Sequence, residues 1–223
     1  MMKGPNTILL EKGDSLYRYD LGDRHPAEWS INHPNPEYLT ERYGPKNKIG
    51  AFFFFDTEKT AKQVLAQAVV DQKKKGIPHS QATITSCEVT DSIVLLDLET
   101  RLSDCSSIIN FLHELDMNVI SNEFYNYHKG QFFEQLKSAA EQEINDFFCS
   151  YPPYLCQLLT DFNNGTAFKK LLEKQGYEGY VFMEDFFSNT YCLLSSAKIS
   201  PPSHQIIDID INMEIQNLIR NIK

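Results

Sequence analysis

Hydrophobic and polar positions along this chain follow two periods, and the places where the period changes mark its elements. Leu16-Tyr17-Arg18-Tyr19, after the turn-like Lys12-Gly13-Asp14, reads as a short β-prone run. Ala51-Phe52-Phe53-Phe54-Phe55 lies between Gly50 and Asp56. It is too short for an independent helix and fits a strand buried on both faces. Asp56 or Thr57 can then cap a helix, whose apolar positions Ala61, Val64, Leu65, Ala68 and Val69 keep to one helical face. That helix stops at Lys73-Lys74-Lys75 and Gly76, where cations suit the negative end of the helix dipole. Two further β-like runs, Ala82 to Val89 and Ser92 to Leu98, are separated by the turn Thr90-Asp91.

The middle of the chain switches to helical spacing. Residues 104–117 place Ile108, Ile109, Leu112 and Leu115 on one side, and the longest predicted helix runs from about Gln131 to Cys149 until Pro152-Pro153 breaks it. Helices over 154–162 and 166–175 follow, parted by Asn163-Asn164-Gly165 and closed by Gly176. Strands return at Tyr180–Met183 and Tyr191–Leu194. Strands interrupted in this way must pair at long sequence range, which predicts a mixed α+β domain and not a regular βαβ array. Residues 20–50, with Pro26, Pro34, Pro36 and Pro45, read as a functional loop or covering segment, and Trp29, Tyr38 and Tyr43 suggest that it packs onto something. Ser200-Pro201-Pro202-Ser203 marks a boundary, so the expected organisation is one domain over 1–200 and a strand/helix extension over 201–223.

Composition narrows the functional classes. With 223 residues the chain can build a full core. Its 21 Lys+Arg against 30 Asp+Glu give a net charge of -9, which argues against nucleic acid as a partner because phosphate contacts need clustered cations. No apolar run approaches a membrane span, and Met1–Glu11 does not read as a signal peptide; the expectation is a cytoplasmic protein, with signal-less export as an effector left open. Cys87, Cys105, Cys149, Cys156 and Cys192 are widely spaced and read as thiols in a reducing compartment, and neither they nor the six histidines show metal-ligand spacing. No P-loop, G-x-S-x-G, H-E-x-x-H or G-x-G-x-x-G occurs.

Three segments carry chemistry when taken in order: the strand with Arg18; Lys48 through Ala61; and Gln175-Gly176-Tyr177-Glu178-Gly179-Tyr180 leading to Thr190–Ile199. Together they resemble the ADP-ribosyltransferase superfamily, which includes the poly(ADP-ribose) polymerases, bacterial toxins and RES-type NAD-degrading toxins. The likeness spans roughly residues 15–200. It implies a split mixed β-sheet core with a helical insertion at about 104–175, NAD as substrate with no metal, and a protein acceptor or partner.

Carried over by position, the resemblance makes Arg18, with Tyr19 beside it, and Phe52, with Phe53, the cofactor-binding residues. Arg18 would contact ribose or phosphate, since a planar guanidinium suits bidentate contact. From the residues alone, Arg18 reads as a strand-end arginine paired with a carboxylate such as Asp20 or Asp23. Phe52 would stack on nicotinamide where related proteins carry a tyrosine. The usual catalytic glutamate falls on Thr190, which cannot stabilise the positive charge that develops on the ribose. Glu184, read as lying in the preceding loop with Asp185, Phe186 and Phe187, is the candidate to stand in for it. The implied activity is ADP-ribosyl transfer or NAD hydrolysis. The alternative is a catalytically inactive binding or interaction module on the same scaffold.

Overall fold

The computed structural model describes residues 7–22, 27–30, 49–98, 165–185 and 188–209. The helices expected at 104–117, 131–149 and 154–162, the terminal helix, and most of the 20–50 segment lie outside these residues. What is described is an α+β arrangement. It has strands β1 (Thr7–Leu10), β2 (Ser15–Leu21), β3 (Phe52–Phe55), β4 (Gln81–Glu88), β5 (Ile93–Asp97), β6 (Gly179–Asp185), β7 (Ser188–Leu193) and β8 (Ser203–Asp208). Two helices accompany them, α1 (Glu58–Lys74) and α2 (Gly165–Lys174).

Both helices end as their sequences require. In α1 the Thr57 hydroxyl accepts a hydrogen bond from Thr60 N at 3.0 Å, satisfying one of the orphan amides of the first turn. In α2 the chain closes with Tyr177 N donating to Leu172 O and Gly176 N to Glu173 O, a Schellman pair. Gly176 has φ 84°, which only glycine adopts without cost. Gly179, three residues on, is there for a different reason: a Cβ at that position would meet Cys192 O at 2.0 Å. The Gly-Tyr-Glu-Gly turn thus needs its first glycine for conformation and its second for space.

The eight strands form one sheet in the order β1-β5-β6-β7-β3-β2-β4-β8, antiparallel except where β5 meets β6. The runs on either side of Thr90-Asp91 do not pair with each other; β4 lies between β2 and β8, whereas β5 lies between β1 and β6. Instead β1 with β2, and β5 with β4, are the two sides of one antiparallel ribbon. Its register is unchanged from Leu10↔Ile93 to Ser15↔Glu88, with four residues passed over on each side. Gly13 N donates to Val89 O and Val89 N to Asp14 O, each at 2.8 Å, which closes the corner.

This continuity sets the shape. In a flat sheet, five strand spacings would separate β1 from β2 by about 24 Å. The chain from Leu10 to Ser15 spans roughly 18 Å even when fully extended. The sheet therefore curls until its two arms, β1-β5-β6-β7-β3 and β2-β4-β8, meet at the corner. The concave side is filled by Leu10, Leu16, Phe52, Phe54, Cys87, Val89, Ile93, Leu95, Val181, Leu193 and Ile199. On the convex side α1 lays Ala61, Leu65 and Val69 against Phe55, Ala82 and Ile84. Each of the larger buried side chains contributes about 1.5–3 kcal/mol. Trp29 belongs to the covering segment and packs as the sequence predicts, edge-on to Phe54 and Phe52 with its indole N–H on Ser200 O at 2.7 Å.

Candidate functional site

On the open side of the corner the two arms are joined by a single residue pair, Tyr17↔Phe55. Beyond it the strands diverge: β2 continues along β4 for seven pairs, and β3 along β7 for four. This junction brings the sequence segments that carry the resemblance side by side, since β6, β7, β3 and β2 are consecutive in the sheet.

Alternation along the strands decides which side chains share a face. Arg18 and Asp20 project with Leu16 to the concave side, opposite Thr85, Thr83 and Cys87 of β4. Phe52 and Phe54 project to the same side from β3. Arg18 and Phe52 are thus brought to one face. Tyr19 and Phe53, as their strand neighbours, are directed to the other; Tyr19 stacks on Phe55 beside α1, ring centroids 6.2 Å apart. Thr190 stands opposite Phe55 and Phe182 on that helix side and is 1% exposed.

Two of the expected ligand groups have protein partners. The Arg18 guanidinium lies 3.1 Å from Asp20 Oδ1, which is the carboxylate pairing that the residues alone allowed. Phe52 is 5% exposed, and Trp29 sits edge-on to its ring. Arg18 and Asp20 remain part-exposed in a row that continues through Thr85, whose hydroxyl is 3.0 Å from His204 Nδ1. Glu184 lies in β6 and not in a loop: the strand runs to Asp185, with a register irregularity between Met183 and Asp185, and β7 begins at Ser188. The sequence predicts a strand ending at Met183, whereas pairing of Asp185 with Ser188 carries β6 two residues further and leaves Glu184 at the irregularity between the paired residues.

A cavity of about 370 Å³ opens at the arm junction. The corner supplies Leu10 and Asp14, β2 supplies Ser15, Leu16 and Tyr17, the start of α1 supplies Asp56, Thr57 and Glu58, and β7 supplies Tyr191. None of the six residues singled out from sequence lines it. Sequence reasoning recognised Asp56 and Thr57 only as a helix start, because acidic and hydroxyl groups there are what capping itself requires. Most of these polar groups are oriented by local bonds. Asp14 Oδ2 accepts from Glu11 N at 2.7 Å, Asp56 Oδ1 from the Thr60 hydroxyl at 3.3 Å, and Glu58 pairs with Lys62 at 2.6 Å. Among the described residues, no set of three or more His, Cys, Asp or Glu is placed to hold a metal ion. Also among them, no helix is long and apolar enough to cross a membrane.

Chemically, the cavity combines two phenol walls with carboxylates and hydroxyls. Such a lining accepts hydrogen bonds from sugar hydroxyls and favours positive charge, and among the described residues the one guanidinium is that of Arg18, the residue after Tyr17. The buried Cys87 thiol, on the concave face beside Arg18, is pushed up to about 12 by desolvation, which the Arg18 charge partly offsets.

No family model matches this chain, and no curated protein resembles it in sequence. Among solved structures, a chain in the crystal structure of the M. tuberculosis MbcT–MbcA toxin–antitoxin complex is similar over 93% of this chain and 90% of its own length. The TM-score is 0.41 and the identity 11%.

Proposed function

We propose that this protein is an NAD-using protein of the ADP-ribosyltransferase type, of the kind found among toxins and effectors, which holds the nicotinamide riboside half of NAD at the junction of its two sheet arms. The observation that carries this reading is the adjacency of β7, β3 and β2. The segments whose order suggested the superfamily, the last of them more than a hundred residues beyond the other two in sequence, lie next to one another around one cavity. On this reading the single Tyr17↔Phe55 pair is the hinge of the split sheet core, and residues 104–175 are the helical insertion.

The chemistry asked of the site is heterolysis of the C–N bond between ribose and nicotinamide. The bonding pair leaves with the nicotinamide nitrogen, which becomes neutral. The ribosyl cation is captured by water or by a nucleophile on a protein acceptor, which then loses a proton. A fixed carboxylate near the ribose lowers the energy of that cation. Thr190 cannot supply it, whereas Asp56 and Glu58 line the cavity and Glu184 lies next to the last residue of β6, the strand beside β7. Arg18 would hold the phosphates after exchanging its Asp20 contact for them.

A second reading, an inactive binding or interaction module, is favoured by specific observations. Thr190 is buried toward α1, Arg18 is engaged by Asp20, and Trp29 covers Phe52. One experiment separates the two. Purified protein is incubated with NAD and nicotinamide release is followed, with calorimetry alongside, for the wild type and for Glu58→Gln, Asp56→Asn and Glu184→Gln. Release that falls at least tenfold in one carboxylate variant, with NAD binding retained, supports catalysis and identifies the acid. Binding without release supports the module. Neither binding nor release removes NAD from the account.

A further inference from the structure

We propose that two copies of this chain associate through β8, pairing antiparallel about Ile206 and joining two sheets edge to edge. Among the described residues the outer side of β8 carries no neighbouring strand. Ile206, 47% exposed, is also the one large apolar side chain among them that stands out into solvent. Edges of this kind present a row of backbone donors and acceptors that a second strand can satisfy.

The backbone phase determines which groups face outward. Ile209 N donates to Ser80 O at 2.9 Å, and the register between β4 and β8 continues unbroken through Gln81↔Asp208 to Ser86↔Ser203. In an antiparallel ladder, bonded and non-bonded pairs alternate. Ile209, Ile207, Gln205 and Ser203 therefore direct their N–H and C=O groups to β4, and His204, Ile206 and Asp208 direct theirs outward.

Only one two-fold register pairs all three outward residues of both copies within the strand. It sets Ile206 opposite Ile206 and His204 opposite Asp208 on each side. Each such pair exchanges two backbone hydrogen bonds. The three side chains lie on one face, so the exposed isoleucines meet at the centre, and an imidazole meets a carboxylate at either end. Centring the pair on Asp208 would set like charges against each other, and moving it toward the N-terminus runs into Pro202, which has no N–H to donate. Strand length, backbone phase, apolar exposure and charge all select the same symmetric arrangement.

The full-length chain in analytical ultracentrifugation is expected to show a mass of twice 25.7 kDa that dissociates on dilution. Ile206→Pro deletes an outward N–H and leaves the amides that bond β4 in place. Ile206→Lys sets a charge against its own copy at the two-fold. Both variants are expected to sediment as monomers with circular dichroism and melting temperature close to wild type. A wild-type protein that stays monomeric up to sub-millimolar concentration overturns the proposal. So does a dimer that survives both substitutions, because it must use another surface.

Discussion

Replacing Gly179 by alanine tests the strand arrangement that places the site. Gly179 lies where β6 passes between β5 and β7, paired with Leu95 on one side and Leu193 on the other. A methyl group there would sit 2.0 Å from Cys192 O and 2.8 Å from Leu95 Cδ2, where ordinary contacts begin at 3.4 Å. The leucine tip could rotate away only within a fully packed core, and the carbonyl cannot, since Cys192 pairs with Tyr180 on one side and Phe53 on the other. Relieving the overlap means moving β7 by more than an ångström against both neighbours. Overpacking of this kind costs typically 1–3 kcal/mol, and here about 3 is expected because the obstacle is backbone. With a urea slope of about 2 kcal/mol per molar, the unfolding midpoint should fall by about 1.5 M. Gly176→Ala is the comparison. It strains a φ of 84° and is expected to cost about 1–2 kcal/mol. Fluorescence-monitored urea titration of the three proteins gives the answer. A Gly179→Ala midpoint equal to wild type, or higher than that of Gly176→Ala, would show that β6 does not pass so close to β7, and the packing that backs β7, the strand that brings Tyr191 to the cavity, would have to be redrawn.

Two further outcomes are expected. Thr57→Ala removes the acceptor of the Thr60 amide and should destabilise the protein by about 1 kcal/mol in thermal melting, whereas Thr57→Ser should be nearly neutral. Burial raises the Cys87 thiol from 9.0 to about 12, so above pH 9 the unfolded chain releases a proton that the folded one retains, and stability falls as pH rises toward 12. The stability advantage of wild type over Cys87→Ala should therefore shrink by about 1.4 kcal/mol between pH 8 and pH 10; a constant difference would mean that the thiol is solvated in the folded state.

The sequence by itself determined the local elements. Thr57, the 3.6-residue apolar spacing and Gly76 delimit α1, four consecutive phenylalanines make a strand buried on both faces, and Gly176 closes α2, because each of these signals acts over a few residues. It also carried the need for long-range pairing, and the packing role of Trp29. The tertiary structure alone decided the rest. The phase of β2 relative to β3 separates Arg18 and Phe52 from Tyr19, Phe53 and Thr190, and no local pattern encodes which face of a strand will turn toward a distant partner. The cavity residues Asp14, Asp56, Glu58 and Tyr191 meet only because a ribbon corner curls the sheet until its arms touch at Tyr17 and Phe55. That closure depends on a register held constant across two separate strand pairs, a property of the folded sheet and not of any one segment.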